Sequence, residues 1–370
     1  MRQVSVYILA FASLLALAVY YPLSAEIEVG GSVNVDACAS DPTRLGLSRV
    51  VEIDTAGGAE VGGEKPDAQH FLNDGEVVLT FDDGPMRSDT KPILKALADQ
   101  CTKATFFMVG QMALADPDMV KEVAAAGHTI GSHTWSHKNL RAVSLAKAEQ
   151  EIEAAISTVS KAKGTPVAPF FRFPYLNSTK QTESYVKSRN IGAIWIDIDS
   201  KDYLTHNPNV VEQRILAQLA KEKKGIILMH DIHAWTAAML PDLLKQLHDR
   251  GFKVVHIVPK GQIETISSYD EAAQKALAAK AAANAANPMA SRAIVWPMSP
   301  TPEPVAGTDV ASASLAGTRH KTGARLKRIS TKPSIAEGVD GEDSGASPTP
   351  TKPKRAGKAK DEDSPWQFFN

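Results

Sequence analysis

Between residues 75 and 260 the chain repeats one pattern: a short run of β-branched, aromatic or aliphatic residues, then a longer segment with helical spacing. The runs are VVLTF at 77–81, ATFFMV at 104–109, HTIGSH at 128–133, PFFRF at 169–173, AIWIDI at 193–198, GIILMH at 225–230 and FKVVHI at 252–257. Between them lie helix candidates at Thr90–Gln100, Asp118–Ala126, Leu145–Lys163, Thr179–Arg189, Val210–Lys223 and Met239–Arg250. Strand, helix, strand, helix requires a parallel sheet with helices outside it. About seven such units predict a closed or nearly closed α/β barrel rather than an open sheet. Gly127, Gly192, Gly225 and Gly251 each stand just before a strand, where helix C-caps belong.

The regions flanking this body differ from it in composition. Arg2, an apolar run from Val4 to Tyr21 and then PLSAEI read as a secretory signal over 1–25, with the cut after Ala25. Leu23 is large for a cleavage site, and a run of about 18 residues also meets the lower limit for a membrane anchor. Either reading places the body outside the cytoplasm, in a periplasm or secreted. Residues 26–74, rich in Gly, Asp and Ala, form a lead-in that wraps the body; 75–265 form the barrel domain; 266–287 are an Ala-rich helix. Residues 288–370, rich in Pro, Ser, Thr, Gly and Lys, are expected to be disordered. The tail's partner is open. A net charge of −1 over 370 residues argues against nucleic acid. Cys38 and Cys101, the only cysteines, either form one bridge in an oxidising compartment or are two unpaired small apolar residues.

The unusual polar residues sit at one end of the predicted strands. Asp82 and Asp83 end the first, and His133 and His137 the third. Arg172 and Tyr175 end the fourth, Asp199 and Asp202 the fifth, His230 and Asp231 the sixth. In parallel α/β barrels the C-terminal ends of strands are where sites are built. A carboxylate with two imidazoles is a ligand set for a divalent metal such as zinc, which keeps an open position for water. One aspartate of the pair would then ligate the cation while the other takes a proton from the attacking water. Which aspartate does which, the residues alone leave open. His230 is the candidate acid for the leaving amine, its tautomer held by Asp202 or Asp231; Arg172 would orient the base and keep its pKa low.

TFDDGP, HTWSH, RFPY and LMH, in this order, resemble the motifs of the polysaccharide deacetylase (NodB-homology) domain of carbohydrate esterase family 4. The resemblance covers about half the chain. It implies a distorted (β/α)7 barrel and metal-dependent removal of N- or O-acetyl groups from glycans. It implies Asp82 as the base; Asp83, His133 and His137 as ligands of a divalent metal, zinc first, with cobalt or nickel as alternatives; and Arg172 as the residue that positions the base. Tyr175 would lend its backbone amide to an oxyanion hole. His230 would be the acid, tuned by Asp202, while Leu228, Tyr203 and Pro174 would face substrate. Tyr203 departs from the family, which usually has Trp there.

The expected function is hydrolysis of acetyl groups on an exported glycan such as peptidoglycan or a chitin-type oligosaccharide. The alternative is a non-catalytic glycan-binding or envelope-scaffold protein on the same fold. His128 begins a strand, and His206, His233, His248 and His256 lack matching partners; His206 and His233, which follow strand ends, are candidates for the groove.

Overall fold

The computed structural model describes residues 41–65 and 68–286; the leader, Cys38 and the segment from 287 onward lie outside the described residues. The central strand is β3 (Glu76–Asp82), in which every residue is buried. Along one edge it pairs with β9 (Gly225–His230), from Val77↔Gly225 to Asp82↔His230. Along the other it pairs with β4 (Thr105–Met108). The sheet continues from β4 through β5 (Thr129–Ser132) and β6 (Phe170–Phe171) to β7 (Gly192–Ile194), while β8 (Ile198–Asp199) returns to β9. β10 (Lys253–Pro259) touches only the first residues of β3 before splaying away. Every pairing is parallel, as helical crossovers dictate. This is the nearly closed α/β barrel that the alternating pattern predicts, distorted as the family resemblance implies.

The expected run AIWIDI is split between β7 and β8 for a structural reason. Trp195 donates its amide to Val61 of the lead-in, and Asp197 donates to Ile226 of β9. Within three residues the chain leaves one neighbour for another. The lead-in contributes β1 (Arg49–Ile53) beside β10 and β2 (Glu60–Val61) beside β7.

Side-chain parity sets what each strand shows to the barrel interior. Val78, Phe107, Phe170, Ile194 and Ile226 form an inner apolar cluster, whereas Val77, Leu79 and Phe81 pack outward against the helices. Thr80 and Asp82 therefore stand above Val78 on the inner face, and Leu228 and His230 above Ile226.

The helices are α1 (Arg87–Asp99), α2 (Gly110–Ala115), α3 (Pro117–Ala125), α4 (Leu145–Lys163), α5 (Lys180–Ser188), α6 (Pro208–Glu222), α7 (Ala234–Asp249) and α8 (Ser267–Ala286). α4 has the bounds its spacing predicts, because Ser144 caps its start and Gly164, at φ +88°, ends it. α2 escaped sequence reading because six residues are too few to show a period. α7 starts at Ala234 rather than Met239. Two of the four glycine C-caps need correction. Gly127 and Gly251 have φ near +78° (+77° and +79°), but Gly192 and Gly225 open strands instead. The left-handed positions near those two are Asn190 and Lys223. Gly192 and Gly225 are small because a Cβ would press on Thr55 and Asp197. Cys101 is disulfide-bonded.

At the barrel end away from the strand C-termini, two histidines are buried as neutral rings. His128 Nδ1 accepts the Ala104 amide at 3.1 Å, and His256 Nε2 meets Thr129 Oγ1 at 2.9 Å. Burial, aided by Lys103, pushes His128 down to about 3 and His256 to about 4. Unfolded, both would take a proton below about 6.5. Their contribution to stability is therefore intact above that pH and is lost as pH drops towards 4, by about 1.4 kcal/mol per pH unit for each ring. Buried carboxyls such as Asp82 titrate in the opposite sense, so the loss is read by comparison: in thermal melts from pH 7.5 to 4.5, His128→Asn, which keeps an acceptor for Ala104, should gain stability relative to wild type as pH falls. Equal slopes in the two proteins would exclude His128 as a cause.

Candidate active site

β3 ends at Asp82, and Asp83 turns the chain away with φ +79°, a conformation uncommon outside glycine. Asp82 stays over the barrel interior. Its Oδ1 accepts a hydrogen bond from Arg172 at 2.8 Å. Arg172 itself is wholly buried, lies over the Phe107 ring, and donates to Thr80 Oγ1 and to the Ile194 and Trp195 carbonyls. The sequence reading had Arg172 holding Asp82 low. The structure corrects this: burial outweighs the guanidinium, and the Asp82 carboxyl is pushed up to about 6.

His133 and His137 flank a turn after β5 rather than sharing a helix face. Thr134 (φ +66°) and His137 (φ +54°) bend the backbone so that both rings converge, with centroids 5.0 Å apart. Glu151, buried on α4, holds that turn by accepting from Ser136 N and Oγ, both at 2.9 Å. His133 Nδ1–H donates to the Arg172 carbonyl at 2.7 Å, which leaves its Nε2 as a lone-pair donor. That Nε2 lies 3.5 Å from Asp83 Oδ1, and His137 Nε2 lies 3.3 Å from the same oxygen. Asp83 Oδ1 is buried and has no hydrogen-bond partner among the described residues. Burial holds both histidines below their ordinary pKa, His133 by far the more. These three ligand atoms all lie within 4.8 Å of one another. A divalent cation fits that set.

Across a cavity of about 390 Å³ stands His230. Its Nδ1 meets Asp202 Oδ1 at 2.6 Å, its amide donates to Asp202 Oδ2, and Thr236 Oγ1 donates to that same oxygen. Burial alone would lower His230, but the charge and hydrogen bond of Asp202, with Asp83 and Asp82 beyond, raise it to about 10. Asp202 falls to about 2: its burial works upward and is overcome by His230 and Thr236. Of the two aspartates open as partners of His230, Asp202 takes the ring. Asp231 turns the other way, to Gly84 N and Thr90 Oγ1.

Leu228, Tyr175, Tyr203 and His233 line the cavity, whereas Pro174 and His206 do not. Pro174 is buried because it opens a short 3-10 turn whose next residue, Tyr175 at φ +58°, swings outward. Tyr203 meets His230 edge-on, with centroids 5.8 Å apart. Trp195 packs on Phe173 instead. Sequence reading missed Glu151, Trp235 and Thr236. Trp235 is sandwiched between His206 and His233 and donates its indole N–H to the Asp202 carbonyl at 2.6 Å. The signal was present in HDIHAWT after β9, where aromatic and polar residues interrupt a helix's first turn.

A family model described as polysaccharide deacetylase matches residues 72–194. A peptidoglycan-N-acetylglucosamine deacetylase of Bacillus cereus is 30% identical over 188 residues, covering 50% of this chain and 67% of that protein. The deacetylase PgdA of Listeria monocytogenes is 33% identical over 195 residues, 52% of this chain but only 40% of its own length. Among solved structures, a peptidoglycan deacetylase of Bdellovibrio bacteriovorus aligns with a TM-score of 0.54 at 32% identity, covering 60% of this chain and 61% of that one. The chain therefore spans well under two thirds of several relatives it resembles. With its barrel, its strand-end residues and these likenesses in agreement, the chain belongs to the polysaccharide deacetylase family.

Proposed function

We propose that residues 75–265 form a metal-dependent deacetylase domain that removes N-acetyl groups from an envelope glycan, with N-acetylglucosamine units of peptidoglycan as the preferred substrate. The observation that carries this reading is the juxtaposition of two sets across one cavity. On one side, Asp83, His133 and His137 stand beside an Arg172-bound Asp82; on the other stands the His230–Asp202 pair. A binding module has no use for both.

Asp83, His133 and His137 would hold the cation, zinc before cobalt or nickel. When bound, it supplies a Lewis acid for the acetyl carbonyl and acidifies the attacking water. Asp82, ionised above about 6, takes the proton of the water whose oxygen bonds to the carbonyl carbon. Arg172 fixes the direction of that carboxylate. The Tyr175 amide, on the turn after Pro174, would donate to the carbonyl oxygen as charge develops there. The C–N bond breaks with its electron pair going to nitrogen, and His230 Nε2–H protonates that nitrogen. Asp202 holds the proton on Nδ1 and keeps the ring cationic. Leu228 and Tyr203 shape the wall that receives the acetyl methyl and the sugar.

An extracytoplasmic compartment is supported by the leader read from the sequence and by the disulfide at Cys101, since a disulfide persists outside the reducing cytoplasm. No helix among the described residues is long and apolar enough to cross a membrane; the anchor reading concerns residues 1–25, which lie outside them. The test is acetate release by the zinc- or cobalt-loaded full chain from peptidoglycan, chitooligosaccharides and an O-acetylated glycan. Release from the first two is expected. Metal binding with no acetate from any of them would leave only the scaffold reading.

A further inference from the structure

The carboxylate that follows His230 has no part in the chemistry above, yet it is almost completely buried, at 1% exposure. Asp231 directly follows the last residue of β9, opposite the turn that carries Asp82 and Asp83. Its Oδ1 accepts the Gly84 amide at 3.0 Å, and its Oδ2 accepts Thr90 Oγ1 at 2.6 Å. Its own amide donates to the Asp82 carbonyl at 3.3 Å. Thr90 Oγ1 in turn accepts the Met86 amide at 2.9 Å. One side chain thus ties the residue after Asp83 to the first turn of α1, closing a ring of hydrogen bonds around the segment Asp82–Met86. The fit is tight: a Cβ on Gly84 would collide with the Asp231 carboxylate, so a side chain at 84 and this carboxylate exclude each other. Asp83, inside the ring, holds φ +79°. A non-glycine residue keeps such a conformation only where its surroundings impose it.

We propose that Asp231, acting with Thr90 and Gly84, is a positioning residue that holds the Asp83 carboxylate at the point where the His133 and His137 rings converge. The inference rests on the metal site proposed above. The Asp83 side chain has no hydrogen bond of its own at Oδ1, so its aim comes from the backbone, and the backbone is held by Asp231. Without the clasp the turn relaxes, and the carboxylate loses its register with the two imidazoles. Partners that orient metal ligands in this way typically account for a 10- to 100-fold change in affinity.

The test is cobalt(II) titration of the full chain after removal of metal by chelation, followed by calorimetry and by the visible absorption of the bound ion. Thr90→Val and Asp231→Ala are expected to weaken cobalt binding 10- to 100-fold and to alter its absorption envelope. Asp231→Asn, which still offers Gly84 an acceptor, should recover most of the affinity. Asp83→Ala serves as the reference. If Asp83→Ala loses cobalt while both clasp variants bind within twofold of wild type, the positioning role is overturned and the metal site stands. If Asp83→Ala itself binds normally, the metal site is wrong and the role falls with it. Should Asp231→Ala fail to fold by circular dichroism, Thr90→Val, which removes only a hydroxyl, decides the matter.

Discussion

Asp82→Asn is expected to lower acetate release about a thousandfold, within the range attributed to a positioned general base, while leaving cobalt or zinc affinity within a few-fold of wild type. Asn is nearly isosteric, so Arg172 and the barrel interior keep their packing; only the capacity to take a proton disappears. His133→Ala should behave in the opposite order, losing metal first and activity as a consequence. The pH profile of the wild-type enzyme offers an independent reading. As the proposed base, Asp82 would have to be ionised, and burial has moved its carboxyl up to about 6. As the proposed acid, His230 would have to be protonated, and Asp202 keeps it so up to about 10. The value of kcat/KM should therefore rise as pH climbs through the lower of these and decline through the upper. Asp202→Asn should pull the upper limb to lower pH, since the charge that sustains the imidazolium is gone. An Asp82→Asn enzyme that kept its activity would remove Asp82 from the base role, and an upper limb unmoved in Asp202→Asn would detach His230 from the acid role.

How much of this was legible in the sequence depends on the range of the interaction concerned. The strands were visible because burial forces a local apolar run: VVLTF and GIILMH became β3 and β9 with little change. The segment AIWIDI was not fully legible, since its break at Trp195 arises from a switch of partner between Val61 and Ile226, residues far away in the chain. The candidate ligands could be named from motif and position. Their convergence depends on positive φ angles at Asp83, Thr134 and His137, none of them at a glycine, so no local propensity announced them. Glu151 and Thr236 were invisible for a related reason. Each looks like an ordinary polar residue on a helix, and its role appears only when α4 and α7 are packed against the loops they hold. The direction of the Asp82 shift was missed because an arginine partner is readable from sequence and a fully buried carboxylate is not.

That same burial sets the largest stability effect expected of any single substitution here. Arg172 is the one cation paired with Asp82 among the described residues, and it also satisfies Thr80 Oγ1 and the Ile194 and Trp195 carbonyls. Arg172→Met keeps much of the volume over Phe107 and removes all of those donors. Breaking one partner of a buried ion pair typically costs about 3–5 kcal/mol, or roughly 6–20 °C in Tm for a domain of this size. The effect should depend on pH, with a sign that can be worked out. A carboxyl raised above its unfolded value near 3.8 binds a proton in the folded state that the unfolded chain has released. Its contribution to stability is intact below that value and is lost as pH climbs through the folded pKa. Without Arg172 the folded pKa rises further, so the loss continues to higher pH, and the gap between wild type and variant widens from pH 5 to pH 8. The histidines at the far end of the barrel titrate alike in both proteins and cancel in the comparison. Melts of the metal-free proteins test this, and Asp82→Asn in the Arg172→Met background should restore a good part of the lost stability at pH 8, because the uncompensated charge is no longer buried. A gap that is constant with pH, or a double variant no more stable than Arg172→Met alone, would mean that Arg172 stabilises the barrel through packing and carbonyl contacts rather than through the charge on Asp82.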